Sequence, residues 1–220
     1  FFDFLPKTAF ALSNGDDKNG AVMLQNTAAT KRTYALKSYA DYKAIILENQ
    51  LSGLLLKIND NEVWVKLIGT FNAYNLLAIY GTAIELGLES LEVLRLLSEL
   101  ESVSGRFQFI VSAQNITAIV DYAHTPDALD NVLNTINDVR TQNEQLITVV
   151  GCGGNRDKAK RPIMGGIASD KSDKAILTSD NPRDEEPETI IEEMEAGVAP
   201  QNFKKILVMT DRKQAIKAAC

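Results

Sequence analysis

The sequence predicts an α/β fold in two successive units, truncated at both ends, and three observations predict it. An apolar, β-branched run at 146–150 breaks into Gly151, Gly153 and Gly154 and then into a helix signalled by Pro162. Strand, glycine turn and helix is the order in which open α/β sheets build ligand sites at the carboxyl ends of their strands. From about residue 104 strands and helices alternate, which implies a parallel sheet with right-handed crossovers. Before about residue 103 β-rich runs come first and two helices follow.

Composition bounds what such a fold can do. The 220 residues, 45% hydrophobic and 24% charged, suffice for one large or two modest soluble domains. A net charge of −6 argues against a nucleic-acid or anionic-membrane surface, so local basic clusters serve small anions. Cys152 and Cys220 are far apart and in no metal spacing, which makes a disulfide framework unexpected and a reducing, cytoplasmic setting the default. No apolar run approaches the length of a membrane span. The chain opens on Phe1 rather than Met and runs out at Cys220 in a helix-compatible run, so a piece of a longer protein is expected.

In chain order, residues 9–12 read as a short strand ending in the turn signal Ser13-Asn14-Gly15-Asp16-Asp17, where a solvated turn is the simple reading. Residues 44–58 and 62–68 read as two strands of one hairpin joined by Asn59-Asp60-Asn61, with Trp64 as a packing residue. A helix through 76–80 ends at Gly87, where a left-handed residue stops it. A second helix at 89–100 has an apolar face at Leu91, Leu94, Leu96, Leu97 and Leu100. A unit boundary falls around Ser102 to Arg106. Beyond it four strands, at 116–121, 146–150, 174–178 and 205–209, alternate with helices at 126–139, 162–169, 187–194 and from 212. Pro126 sits at the first position of its helix behind a Thr125 cap.

Three loops follow strands in the second unit. In the first, Arg156, Lys158, Lys160 and Arg161 succeed the glycines and supply charge, while backbone N–H groups can approach an anion. In the second, Ser179-Asp180-Asn181-Pro182-Arg183 offers opposite charges in a stiff turn suited to a zwitterion. A surface ion pair between Asp180 and Arg183 is the simpler alternative. The third, residues 121–127, holds His124, the only histidine, which excludes HExxH-type zinc sites and reads equally as a loop residue. Asn72 and Asn75, three apart, share the face of one helical turn, with N-capping as the alternative. Cys152 has no second histidine to activate it and reads as a packing residue. There is no G-x-x-x-x-G-K-[ST] and no G-x-G-x-x-G, so neither a Walker loop nor a dinucleotide fingerprint is present.

Five runs then come together: F-N-A-Y-N at 71–75, G-R-F at 105–107, D-Y-A-H-T-P-D-A-L at 121–129, G-C-G-G-N-R-D-K-A-K-R-P at 151–162 and D-N-P-R at 180–183. In this order and spacing they resemble the Mur ligases, over essentially the whole chain, and in particular the members that add meso-diaminopimelate. The resemblance implies the latter part of a central ATPase domain at 1–103 and most of a Rossmann-like C-terminal domain at 104–220. It implies an ATP-dependent amide ligase of peptidoglycan precursor synthesis, with UDP-MurNAc-L-Ala-D-Glu and meso-diaminopimelate as substrates, acting as a monomer through an acyl phosphate. Carried over by position, Asn72 and Asn75 lie at the nucleotide, Arg106 near the phosphates and Asp121 at the ribose, with His124 close by; Arg106 and Asp121 count as catalytic. Arg156 with Asp180, Asn181, Pro182 and Arg183 hold diaminopimelate. Asn155 departs from the aspartate of the family pattern and softens the charge of that loop. The resemblance places the phosphate-loop lysine and the Mg2+ ligands before Phe1 and a further part of the amino-acid pocket after Cys220, so this segment alone is expected to be inactive. A lysine-adding or folylpolyglutamate-type ligase and a non-catalytic module binding a small anion or amino acid are the alternatives.

Overall fold

The computed structural model describes residues 1–112, 116–141 and 143–220. It divides into two compact units, Phe1–Ser102 and Val103–Cys220.

In the first unit a five-stranded sheet runs in the order β1 (Phe10–Asn14), β2 (Thr30–Ala35), β3 (Tyr42–Gln50), β4 (Gly53–Ile58), β5 (Asn61–Val65). The first three strands pair parallel and the last three antiparallel. A single helical turn, α1 (Gly20–Met23), follows β1; α2 (Thr70–Glu85) and α3 (Ser90–Glu99) complete the unit. Leu54, Leu56 and Ile58 of β4 meet Ala73, Leu76, Leu77 and Tyr80 of α2 and Val93, Leu94 and Leu97 of α3 in one core.

Three expectations change here, and one strand is added. The β-rich stretch is two hairpins rather than one, because the chain turns at Leu51-Ser52 and re-enters the sheet at Gly53. A Cβ at Gly53 would lie 2.1 Å from the Val65 carbonyl oxygen, so only glycine fits that approach. Strand β2 lay unread in a polar stretch. Trp64 is 39% exposed, on the outer face of a strand whose inner residues are Val63 and Val65. In α3 the buried stripe is Val93, Leu94 and Leu97, whereas Leu91, Leu96 and Leu100 face outward; the 3.6-residue period admits only one of the two leucine rows to the core. The helix ends read from sequence hold, with Gly87 at φ 88 just past α2.

Asp16 also exceeds the expected solvated turn. Its carboxylate accepts the backbone N–H groups of Leu36, Lys37 and Ser38 and the hydroxyl of Tyr74 at 2.8–2.9 Å. Burial pushes this carboxyl up and the hydrogen bonds pull it down; the bonds win, leaving it well below the usual range. Asp16 thereby ties the turn after β1 to the first turns of α2.

The second unit holds a three-stranded parallel sheet in the order β10 (Ile206–Val208), β9 (Lys174–Leu177), β8 (Ile147–Val150). Its helices are α4 (Pro126–Val139), α5 (Lys160–Lys171), α6 (Pro187–Glu195) and α7 (Arg212–Ala219). Leu129 and Leu133 of α4, Met164 and Ala168 of α5, and Ile190, Ile191 and Met194 of α6 bury against Val150, Ala175 and Leu177. The expected four-strand parallel sheet is corrected: β7 (Thr117–Val120) pairs antiparallel with β6 (Gln108–Val111), which sequence reasoning missed, in a separate ribbon. Alternation of strand and helix says nothing about which strands pair, and β6 lies close enough in sequence to take β7 first. Thr125 caps α4 by accepting the Ala128 N–H, as read from sequence.

Candidate functional site

The glycine loop after β8 and the turn after β9 lie against each other. The Gly154 N–H donates to the Asn181 carbonyl at 2.8 Å, and Nη1 of Arg183 donates to the Gly154 carbonyl at 2.6 Å. A Cβ at Gly154 would stand 1.8 Å from the Pro182 carbonyl oxygen, so this approach requires glycine. The next residue continues the seam: the Asn155 N–H donates to Glu185 Oε1 at 2.6 Å and its side-chain amide to Asp184 Oδ2 at 2.7 Å. The amide at 155 thus donates where an aspartate would face Asp184 with a like charge. Asn155 and Arg183 have φ of 50 and 53; asparagine tolerates the left-handed region, whereas arginine is held in it by the seam.

The four basic residues of the loop do not share one task. Arg161 is fully buried, and its guanidinium forks onto both oxygens of Glu185 at 2.9 Å, reaches Glu193 at 2.7 Å and the Gly153 carbonyl at 3.3 Å. Glu185 raises its pKa further, and Arg161 in turn holds the Glu185 carboxyl down at about 2, helped by the Asn155 N–H. Lys158 approaches Glu185 at 3.2 Å, and Lys160 donates to the His124 carbonyl at 2.6 Å. Arg156 alone of the four has a side chain that makes no hydrogen bond or ion pair among the described residues. The expectation that all four offer charge to a ligand is corrected accordingly.

Arg156 and Arg183 both approach Gly153: from a Cβ built there, Nη1 of Arg183 is 3.0 Å away and Cγ of Arg156 3.9 Å. Arg183 commits Nη1 to backbone carbonyls, and its other nitrogens have no partner among the described residues. The expected ion pair between Asp180 and Arg183 does not form. Asp180 instead pairs with Arg212 Nη1 at 3.1 Å, on the first residue of α7. Asn181 serves the seam through its carbonyl, leaving its side chain exposed, and Pro182 supplies the carbonyl against Gly154. Cys152 is buried, with its sulfur 3.6 Å from that of Met164 and its thiol pKa pushed up by burial, consistent with packing.

The residues expected at a nucleotide fall in both units. In the second, Asp121 accepts the Phe107 and Ala123 N–H groups, each at 2.7 Å, one per oxygen. It thereby fixes the backbone just after Arg106 and just before His124. The Arg106 guanidinium lies 4.6 Å from the centre of the Tyr122 ring, with no carboxylate partner among the described residues. His124 packs edge-on to the same ring at 5.0 Å, its Nδ1 3.1 Å from the Tyr122 carbonyl oxygen. Arg106, Tyr122 and His124 therefore form one exposed cation–aromatic group. In the first unit Asn72 and Asn75 sit in the first two turns of α2, and neither is its N-cap, which is Gly69. Asn72 donates to the Ile68 carbonyl at 2.9 Å and Asn75 to the Asn72 side chain at 3.3 Å. Among the described residues no group of three or more His, Cys, Asp or Glu could hold a metal ion, and no helix is long and apolar enough to cross a membrane.

Sequence reasoning missed Arg161, Glu185 and Glu193 as a unit, along with Tyr122 and Arg212. For Arg161 a signal existed. It shares the spacing of Met164, Gly165, Ala168 and Ser169, the buried residues of α5, so the helical period places it on the inner face.

Comparison with known proteins adds the following. Residues 1–83 match the Mur ligase middle domain, and residues 105–220 match the Mur ligase glutamate ligase domain. The chain is 57% identical over 220 residues to the UDP-N-acetylmuramoyl-L-alanyl-D-glutamate--2,6-diaminopimelate ligase of Phocaeicola vulgatus, covering 100% of this chain and 46% of that protein. It is 58% identical over 219 residues to the protein of the same name from Parabacteroides distasonis, covering 100% of this chain and 45% of that one. A solved ligase of that name superposes with a TM-score of 0.61 at 34% identity, covering 96% of this chain and 45% of the other. MurF from Acinetobacter baumannii superposes with a TM-score of 0.74 at 16% identity over 98% of this chain and 45% of its own, a likeness of fold alone. The chain spans less than half the length of these curated relatives.

Proposed function

Because the chain belongs to the Mur ligase family, we propose that it is part of an ATP-dependent amide ligase. That enzyme adds meso-diaminopimelate to the D-glutamate of UDP-N-acetylmuramoyl-L-alanyl-D-glutamate in peptidoglycan precursor synthesis. The whole protein acts in the cytoplasm as a monomer. The D-glutamate carboxylate takes the terminal phosphoryl group of ATP, the diaminopimelate amine attacks the acyl phosphate, and phosphate leaves as the amide forms. Mg2+, when bound with ATP, neutralises phosphate charge.

The observation that carries this reading is that Arg156 and Arg183 both come within 4 Å of a Cβ built at Gly153. Among the described residues the Arg156 guanidinium has no partner and Arg183 keeps Nε and Nη2 free, while Lys158, Lys160 and Arg161 are bonded within the protein. Diaminopimelate is lysine with one more carboxylate. A fork that pairs with that carboxylate is left desolvated and unpaired by lysine, which is how hydrogen-bonding sites reach large discrimination. Asp180, steadied by Arg212, presents a carboxylate to the substrate ammonium. Arg106, resting on Tyr122 with no carboxylate partner among the described residues, meets the phosphates, and Asp121 and His124 line the ribose side; the nucleotide role of Asn72 and Asn75 in the first unit rests on the family pattern alone.

The test is phosphate release by the whole protein. It is expected only when ATP, the UDP-muramoyl dipeptide and meso-diaminopimelate are all supplied. Equal rates with L-lysine in place of diaminopimelate would reject the specificity.

A further inference from the structure

Arg161 does something the amino-acid pocket needs without touching it. Its guanidinium links three pieces of the second unit: the glycine loop through Gly153, the turn after β9 through Glu185, and α6 through Glu193. Lys158 completes the group, giving two cations, Arg161 and Lys158, against two carboxylates, Glu185 and Glu193. Arg161 Nε is buried without a partner. A buried set of charges is often no more stable than apolar residues put in place of the whole set, so stability alone does not account for Arg161, Glu185 and Glu193 as a group.

Glu185 is the member of the group that bears on the pocket. It stands two residues after Arg183, and its Oε1 accepts the N–H of Asn155, the residue before Arg156. It is therefore a carboxylate bonded into the segments that carry both arginines, and without the Arg161 fork only Lys158 and the Asn155 N–H would hold it, leaving uncompensated negative charge beside the cations meant for the substrate. The geometry points to Arg161 as the positioning residue of the amino-acid pocket: by holding both oxygens of Glu185, it fixes the seam under Arg156 and Arg183 and keeps their charge available to the substrate carboxylate. The low pKa of Glu185, near 2, agrees with a carboxylate committed in this way. The inference rests on the ligase reading above and adds a residue to it.

The experiment uses the whole protein with phosphate release as readout, titrating meso-diaminopimelate and ATP separately. R161M is expected to raise KM for meso-diaminopimelate at least about tenfold while KM for ATP stays within about twofold. R161M/E185Q, which also removes the freed carboxylate, is expected to recover most of that loss, because a buried ion pair replaced as a unit is far better tolerated than one that is broken. A merely structural Arg161 predicts instead that both KM values, kcat and thermal stability worsen together and that the second substitution adds to the damage; that result overturns the inference. Should R161M not fold, R161K, which keeps the charge but loses the fork, decides through the same KM split: a rise confined to meso-diaminopimelate supports the role, and an even loss rejects it. Wild type that uses meso-diaminopimelate with R161M unchanged overturns this inference alone; wild type that ignores meso-diaminopimelate overturns the ligase reading beneath it.

Discussion

If Arg183 meets the extra carboxylate of diaminopimelate as proposed, replacing it by alanine removes that fork, and the structure sets the size of the effect. Nη1 is taken by the Gly154 and Asn181 carbonyls, so Nε and Nη2 remain for a two-pronged bond to a carboxylate. Hydrogen bonds to charged groups contribute about 1.5–3 kcal/mol each, and two on one fork about 3–4 kcal/mol together. Arg183 is exposed, and solvent screening lowers this to about 2–3 kcal/mol. At about 1.4 kcal/mol per tenfold, kcat/KM for meso-diaminopimelate should fall about 30–150-fold. The backbone at φ 53 is no easier for alanine than for arginine, so strain does not enter the comparison. The assay is phosphate release at saturating ATP and UDP-muramoyl dipeptide with meso-diaminopimelate varied, beside a thermal melt. Preference for meso-diaminopimelate over L-lysine should shrink by a similar factor. A fall of less than about fivefold, with the melt unchanged, would refute the assignment of this arginine to the substrate.

Other outcomes follow from the same geometry. Gly154→Ala drives a Cβ into the Pro182 carbonyl and should part the two loops, costing about 1–3 kcal/mol by thermal unfolding and raising KM for meso-diaminopimelate more than KM for ATP. Asp16→Ala leaves three backbone N–H groups and the Tyr74 hydroxyl without their acceptor, and about 2–4 kcal/mol of stability should be lost in denaturant titration. Tyr42, raised by burial and then by its bond to Glu85, and Tyr74, raised by burial and then by Asp16, both have pKa pushed up to about 12 from 10.0. A folded pKa above the unfolded one means their contribution is full below pH 10 and is lost as pH rises toward 12. Melting temperature should therefore drop across that interval, and Tyr42→Phe should flatten the drop.

What could be read from the sequence was what neighbouring residues decide among themselves. The run from 146 to 162 carries strand, glycine turn and helix in one short stretch, and Thr125-Pro126 announces α4, so both were legible. Pairing was not. Nothing local in Thr117–Val120 says that it joins Gln108–Val111 rather than the parallel sheet, because a strand's partner is a long-range choice. The candidate site was legible as residue types: Arg156, Asp180 and Arg183 stood out by charge and spacing. Their partners were not, since Arg161 differs from Arg156 in sequence only by its place on the inner stripe of α5. Which carboxylate meets Asp180 or Arg161 depends on helices α6 and α7 arriving from elsewhere in the chain.

The seam between Gly154 and Asn181 also sets a rule for altering what this unit accepts. Four contacts, from Gly154 to Asn181, Arg183 to Gly154, and Asn155 to both Asp184 and Glu185, cross between the two loops. Each loop is the other's template. Grafting the D-N-P-R turn by itself onto a relative with a different glycine loop would transfer the arginine but not its direction. On the proposed reading, selectivity would travel only with the pair 151–156 and 180–185, exchanged together with the buried arginine that joins them.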